Sequence, residues 1–293
     1  MPYDKTGPPN RKVLLVRFVK TSEEIRRIQA VYARPQFLGT RTLTVLFETT
    51  PEAIKALLPP PLEATPEPLG SAWVGEVRNS NCAGPFLGAA LYVRARYQDI
   101  VGNYCVTMLL STAEALSFGR ELYGEPKKLA KIIFEREGQH VWGSVERHDI
   151  RYLSLRGRMT DQGPTGRHET SSFFFKFTLR PDGSGFDYPP LLVHVTSEAK
   201  VDLAEQGRGE LVLRDSPHDP VADIPISQVV TATYSEGQIY TRGQVLCQVD
   251  PKAFLPYAFS KIDSLEEIAA SGMLHVQASR KSREGKSQWR EKP

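Results

Sequence analysis

Hydrophobic and polar positions alternate with a period of two over much of this chain. In TRTLTVLFE, residues 40 to 48, Arg41, Leu43, Val45 and Phe47 share one parity while Thr42, Thr44 and Glu48 share the other. That is the pattern of a strand with two unlike faces. SAWVGEV, AALYVRARY, NYCVTMLL, KLAKIIFERE, HVWGSVER, SFFFKFTLR, PLLVHVT, GELVLR and IYTRGQVLCQV also read as strands, many of them separated by turn chemistry such as REGQH and RPDGSGFD. Helical periodicity is rarer. SEEIRRIQAVYA puts Ile25, Ile28 and Val31 on one face. TTPEAIKALLPPPLE predicts a short helix with Thr50 as N-cap, Pro51 at its first position and prolines ending it. In STAEALSFGREL, Ser111 followed three residues on by Glu114 has capping-box spacing, and Gly124 is placed to stop the helix. SLEEIAASGML near the C-terminus is a further helical candidate. Strands that follow one another without alternating helices predict an α+β, mainly antiparallel β fold, a barrel or double sheet with a few peripheral helices.

The body shows no internal repeat and no low-complexity linker. Three segments are expected: an N-terminal extension over 1–35, a single domain over 36–259, and a C-terminal extension over 260–293. The last ends in RKSREGKSQWREKP, whose basic residues are interrupted by Glu284 and Glu291, so it reads as a frayed, solvated tail. With 40% hydrophobic and 24% charged residues among 293, the chain can build a sizeable core. The net charge of +3 is too small to imply a nucleic-acid or membrane partner. No apolar run approaches the ~20 residues that span a bilayer, and MPYDKTGPPNRK lacks the apolar core of a secretory signal. Cys82, Cys105 and Cys247 are far apart with no CxxC, as expected of reduced, packed thiols in a cytoplasmic protein. The six histidines show no HExxH or other close ligand spacing, so no metal is expected. GxGxxG and GxxxxGK[ST] are absent, and with them the phosphate-cradling loops of common cofactors.

The chemistry concentrates in GRELYGEPKKLAKI, residues 119 to 132. Pro126 fixes its own backbone angle and biases Glu125 towards an extended conformation, so Lys127 enters a strand at a rigid point. Lys127 and Lys128 then point to opposite faces, and only one can easily occupy an interior pocket. The apolar alternation after them does not settle which. A lysine is a nucleophile only when neutral, and at the reference pKa of about 10.4 roughly one molecule in 2500 is neutral at pH 7. Bringing such a group to about 7 takes some 4 to 5 kcal/mol, which an apolar pocket supplies and a second ammonium nearby adds to. The neutral amine condenses with a ketone to give an iminium, an electron sink that needs no cofactor. The plain alternative is a solvated pair at a strand end. Arg41 closes an otherwise apolar strand face, and a guanidinium there needs an anion, either a substrate carboxylate or a structural glutamate. Glu76 in WVGEVRN is a candidate pocket acid or a surface residue. Tyr240 in GQIYTRGQ is a candidate proton donor or a packed ring.

The run Gly119-Arg120-Glu121-Leu122, followed by Pro126-Lys127-Lys128-Leu129-Ala130, resembles the signature of the acetoacetate decarboxylase family. TRTLTVLFETTPEAIKALLPPPLE, GPFLGAALYVRARY and DPVADIPISQVVTATY are similar to other parts of that family, and the resemblance covers about residues 36 to 258. It implies the acetoacetate decarboxylase-like fold, a Schiff base on Lys127, and a perturbing role for Lys128; acetoacetate decarboxylase is itself the standard example of a lysine activated by a neighbouring cation. It also places Arg41 on the arginine near the substrate. The implied activity is a cofactor-independent lyase that decarboxylates a small β-keto acid such as acetoacetate, in a homo-oligomer. One departure stands out: where the decarboxylases carry a pocket glutamate, this chain reads Phe86-Leu87-Gly88-Ala89. Relatives in the superfamily use the same lysine for aldol condensation and dehydration of pyruvate with an aldehyde. Those relatives tend to carry glutamine where Tyr123 stands here. An aldolase-dehydratase and a catalytically inactive small-molecule-binding homologue are therefore the alternatives.

Overall fold

The structure, a computed structural model, describes residues 16–271. The basic run from Arg280 and the N-terminal MPYDKTGPPNRK lie outside the described residues. Helix α1 (Ser22–Ala33) is capped by Thr21 in a full capping box with Glu24. Its apolar stripe finds little cover: Ile25 and Ile28 stay exposed. Strand β1 (Gln36–Glu48) leads through α2 (Pro51–Leu57), which has Thr50 and Pro51 in the expected positions, to β2 (Leu69–Ser80), β3 (Phe86–Tyr97) and β4 (Ile100–Leu110). These four strands form an antiparallel meander.

Helix α3 (Ala113–Tyr123) follows. Its N-cap is Thr112, whose hydroxyl accepts from Ala115 N, and not Ser111; Ser111 Oγ instead accepts from Leu87 N and ties the helix start to β3. Gly124 ends the helix in the left-handed conformation at φ 80°, packed so closely on the backbone of Phe175 and Lys176 that a side chain has no room. The chain then enters β5 (Lys127–Leu129), β6 (Lys131–Glu137), β7 (His140–Arg147) and β8 (Ile150–Gln162), so KLAKIIFERE is two strands broken at Ala130. β9 (Gly166–Lys176), β10 (Leu191–Leu213) and β11 (Gln228–Gln248) complete the sheet, and α4 (Pro251–Phe254) runs into a 3-10 segment, Leu255–Lys261. PLLVHVT and GELVLR belong to the one long β10, and RYLSLRGRMTDQ forms β8.

The pairings close a ring, β11–β1–β2–β3–β4–β9–β10 and back to β11, while β8, β7 and β6 continue from β10 as a wing. All pairs are antiparallel except β4 with β5 and β4 with β9. The expectation of a mainly antiparallel α+β fold is met, with barrel-like closure and a second layer together. The two faces of β1–β4 have separate cores. On the wing face, Leu43, Val45, Val74, Leu91 and Leu109 pack with Val141, Val145, Leu153 and Leu155 of β7 and β8. On the other face, Ala90, Met108, Leu110, Phe174, Val193 and Val195 pack with Ala115 and Tyr123 of α3 and with Trp73. A third cluster gathers Ile54, Val93, Ala95, Tyr104, Phe173, Phe175 and Phe254, and alternation along each strand decides which cluster a residue joins. Among the described residues no helix is long and apolar enough to cross a membrane.

Leu43 is fully buried in the wing-face core, whereas Leu129 is half exposed. Leu43→Ala should cost about 2 to 5 kcal/mol in urea-unfolding experiments, and Leu129→Ala well under 1 kcal/mol.

Candidate active site

Lys127 Cα pairs with Met108 and Lys128 Cα with Leu109, so the two lysines inherit opposite faces of β4. Lys127 turns to the α3 face. Its side chain is 9% exposed, Nζ donates to the Ala115 carbonyl of α3 at 3.0 Å, and it lies 2.6 Å from Glu125 Oε2. Around this pair stand Cys82, Cys105, Tyr92 and Tyr123. Burial pushes all four of these thiols and phenols up, and the Glu125 charge adds to each shift. They therefore hold their protons at neutral pH. Helix α3 approaches closely because residue 119 is glycine: a Cβ built there would overlap both Glu125 Oε2 and Lys127 Nζ. The interior glycine costs the helix roughly 1 kcal/mol against alanine, and the ion pair fills the space it leaves.

Lys128 turns to the wing face and is fully engaged. Nζ donates to Asp219 Oδ1 and the His218 carbonyl, each at 2.9 Å, and approaches Asp263 Oδ1 at 3.5 Å. Arg147 bridges the same two acids, pairing with Asp219 and gripping both oxygens of Asp263. Two cations and two anions therefore balance in a mostly buried cluster. Burial alone would raise the Asp263 carboxyl, but Arg147 and His148 overcome it and hold the group at about 2. The fold also stacks His148 on His218 with centroids 3.8 Å apart, a pairing their spacing in the sequence did not show. With Asp263 they bring ligand-type atoms within 4.8 Å of one another. These atoms are already used: His148 Nε2 bonds Asp263, and His218 Nδ1 accepts from Ser264 N. The cluster reads as a hydrogen-bonded network, not as a metal centre.

The remaining expected residues do not join Lys127. Arg41 lies on the wing face, directly paired in register with Glu76 on β2 and Glu236 on β11. It donates to Glu76 Oε1 at 3.0 Å and to the Tyr234 hydroxyl at 2.8 Å, so its anions are structural glutamates. Glu76 also accepts from Arg78 at 3.0 Å and belongs to this cross-strand network. Tyr240 bonds Gln238 and packs under the Arg34 guanidinium, beside a cleft lined by Arg167, Glu198 and Lys200. Gly88 does lie on the Lys127 face, opposite Leu110 and under the Trp73 indole, which sits 2.9 Å from a Cβ built there. Tyr123 shares that face through its bond to Thr241 at 3.3 Å.

Glu125 and Gly119 escaped the sequence reading, although a glycine inside a helix and a charge just before Pro126 were both visible signals. Lys261 escaped it as well. Its amine donates to the Phe175 carbonyl at 3.2 Å and lies 4.3 Å from the Phe177 ring centre. Burial, with help from Arg120, brings it down to about 8.

Two outcomes follow. Lys128→Met strips one cation from the buried cluster and should destabilise the protein by about 3 kcal/mol or more in urea unfolding, while the Lys127–Glu125 pair on the opposite face keeps its contacts. The lowered Asp263 carboxyl binds its proton less tightly in the folded than in the unfolded chain. Its contribution to stability is thus full above its ordinary 3.8 and is lost as the pH falls towards about 2. Asp263→Asn should remove that part of the acid limb in unfolding midpoints taken from pH 5 to pH 2.

Comparison with known proteins agrees with this geometry. Residues 21–248 match the family described as acetoacetate decarboxylase (ADC). The acetoacetate decarboxylase of Burkholderia cenocepacia (strain HI2424) is 25% identical over 204 residues, covering 68% of this chain and 82% of that protein. The crystal structure of acetoacetate decarboxylase from Legionella pneumophila superposes with a TM-score of 0.66 at 22% identity, over 73% of this chain and 87% of its own. The enduracididine biosynthesis enzyme MppR, complexed with pyruvate, superposes with a TM-score of 0.63 at 16% identity, over 73% and 91%. With the lysine pair, the closed ring of strands and this match over most of its length, the chain belongs to the acetoacetate decarboxylase family.

Proposed function

We propose that this protein is a cofactor-independent, Schiff-base-forming lyase that decarboxylates a small β-keto acid such as acetoacetate. The observation that carries the reading is the buried amine of Lys127, the first lysine of the Pro-Lys-Lys run, held on the α3 face beside Glu125. In this reading Lys127 attacks the ketone carbon, water leaves, and the iminium accepts the electron pair of the breaking C–C bond as CO2 departs. Protonation of the enamine and hydrolysis then free the amine. Lys128, balanced by Asp219 on the other face, supports the fold of β5 and does not take part in the chemistry. The reading keeps the protein a cytoplasmic homo-oligomer made of one catalytic domain with short extensions.

A second reading, condensation and dehydration of pyruvate with an aldehyde, is favoured by the composition of the α3 face. Position 88 carries no acid there, and Arg41 is on the opposite face among glutamates. MppR, one of the structural neighbours, is complexed with pyruvate.

Borohydride added with acetoacetate or pyruvate should fix a mass adduct on Lys127. An adduct on Lys128 or on Lys261, or none with any keto acid, would overturn the assignment. A panel of β-keto acids and of pyruvate–aldehyde pairs then separates the readings. CO2 release that disappears in Lys127→Ala supports decarboxylation; new carbon–carbon bonds without CO2 support condensation.

A further inference from the structure

Glu125 holds an unusual position for a residue that only neutralises a lysine. It is 9% exposed, and its Oε2, though 2.6 Å from Lys127 Nζ, has no donor at hydrogen-bond angles. A buried carboxylate oxygen without an aligned donor is costly, and such groups cluster where a proton has to move. The local sequence is arranged to keep it there. Pro126 fixes the backbone next to it, and Gly119 leaves room for the carboxylate and the amine together. The other titratable groups that feel the Glu125 charge include Cys82, Cys105, Tyr92 and Tyr123, each held protonated by burial, and the Lys261 amine, which burial lowers to about 8. Among these neighbours Glu125 is the carboxylate, and it lies against the Lys127 amine.

We propose that Glu125 is the catalytic acid–base of this site, carrying the protons of iminium formation at Lys127. This rests on Lys127 being the amine nucleophile. Glu125 first takes a proton from the Lys127 ammonium, leaving a neutral amine and a neutral acid. The nitrogen lone pair attacks the carbonyl carbon, and Glu125 returns the proton to the carbonyl oxygen, giving a protonated carbinolamine. The carboxylate then removes a proton from that nitrogen and delivers it to the hydroxyl. Water leaves as the nitrogen lone pair forms the C=N bond, and the iminium stands opposite a Glu125 carboxylate once more. One ammonium and one ketone become one iminium and one water, with Glu125 unchanged. An acid supplied from within the Pro-Lys-Lys turn would also explain how the α3 face does without a carboxylate at Gly88.

The test is the rate of reductive trapping with cyanoborohydride, using acetone and pyruvate as probes, in the full-length protein. The wild type should give the Lys127 adduct, and Glu125→Gln, which keeps the shape, should give it roughly 100-fold more slowly with its thermal midpoint little changed. Formate should restore at least tenfold of the lost rate to Glu125→Ala and leave the wild type unaffected, a response that a merely structural residue would not show. Trapping of Glu125→Gln at the wild-type rate overturns the proposal. So does a slow Glu125→Ala that formate does not rescue, and so does unfolding of both variants by circular dichroism. In each of those results Lys127 remains the nucleophile of the wild type; absence of any wild-type adduct would instead remove the Lys127 reading and this one with it.

Discussion

Two adjacent lysines in an extended chain cannot share an environment, and the organisation of this protein follows from that constraint. Pro126 starts a strand of three residues, and from there alternation sends Lys127 to the face covered by α3 and Lys128 to the face covered by the wing. Each charge then needs its own solution in a poorly hydrated place. Lys128 receives Asp219 and shares Asp263 with Arg147, a cluster in which cations and anions balance. Lys127 receives one carboxylate and one helix carbonyl. The first arrangement leaves the amine no freedom to react. The second leaves the amine with a single carboxylate against it.

That division also changes how one lysine influences the other. A second ammonium beside the first would favour the neutral amine by repulsion. Here Lys128 is screened by its own anions and lies across the sheet, so the environment of Lys127 is set by burial against α3 and by Glu125. The same face carries Trp73 over Gly88, an apolar wall where a charged group would otherwise stand. With Arg41 bonded to Glu76 and Tyr234 on the wing face, the Lys127 face lacks the guanidinium that the Arg41 reading placed there.

Much of the architecture was legible from local pattern. Strand alternation, the Thr50–Pro51 helix start, the Gly124 stop and the opposed lysines all depend on neighbours within a few residues. The parity of Arg41 with Leu43, Val45 and Phe47 was also correct, but parity cannot say which of two buried faces holds the chemistry. That depends on ring closure between β11 and β1 and on the wing folding back, both long-range events. Asp219 and Asp263 were invisible for the same reason. Ser111 misled because the capping-box spacing fitted one residue too early, where its hydroxyl is drawn instead to the β3 backbone. Glu125 was hidden by habit of reading, since a charge before proline ordinarily marks a solvated turn. The glycine at 119 was the clue that something had to fit beneath the helix.

Asp263 lies beyond the stretch that matches the family, yet it supplies one of the two anions in the buried cluster. A chain emerging from the ribosome can complete the ring of strands by Gln248 while Lys128 and Arg147 still face Asp219 alone. Until residue 263 arrives, that layer carries an uncompensated positive charge and resists drying. The C-terminal segment therefore works as a fastener, and the wing tightens fully against β1–β4 only once residue 263 is in place.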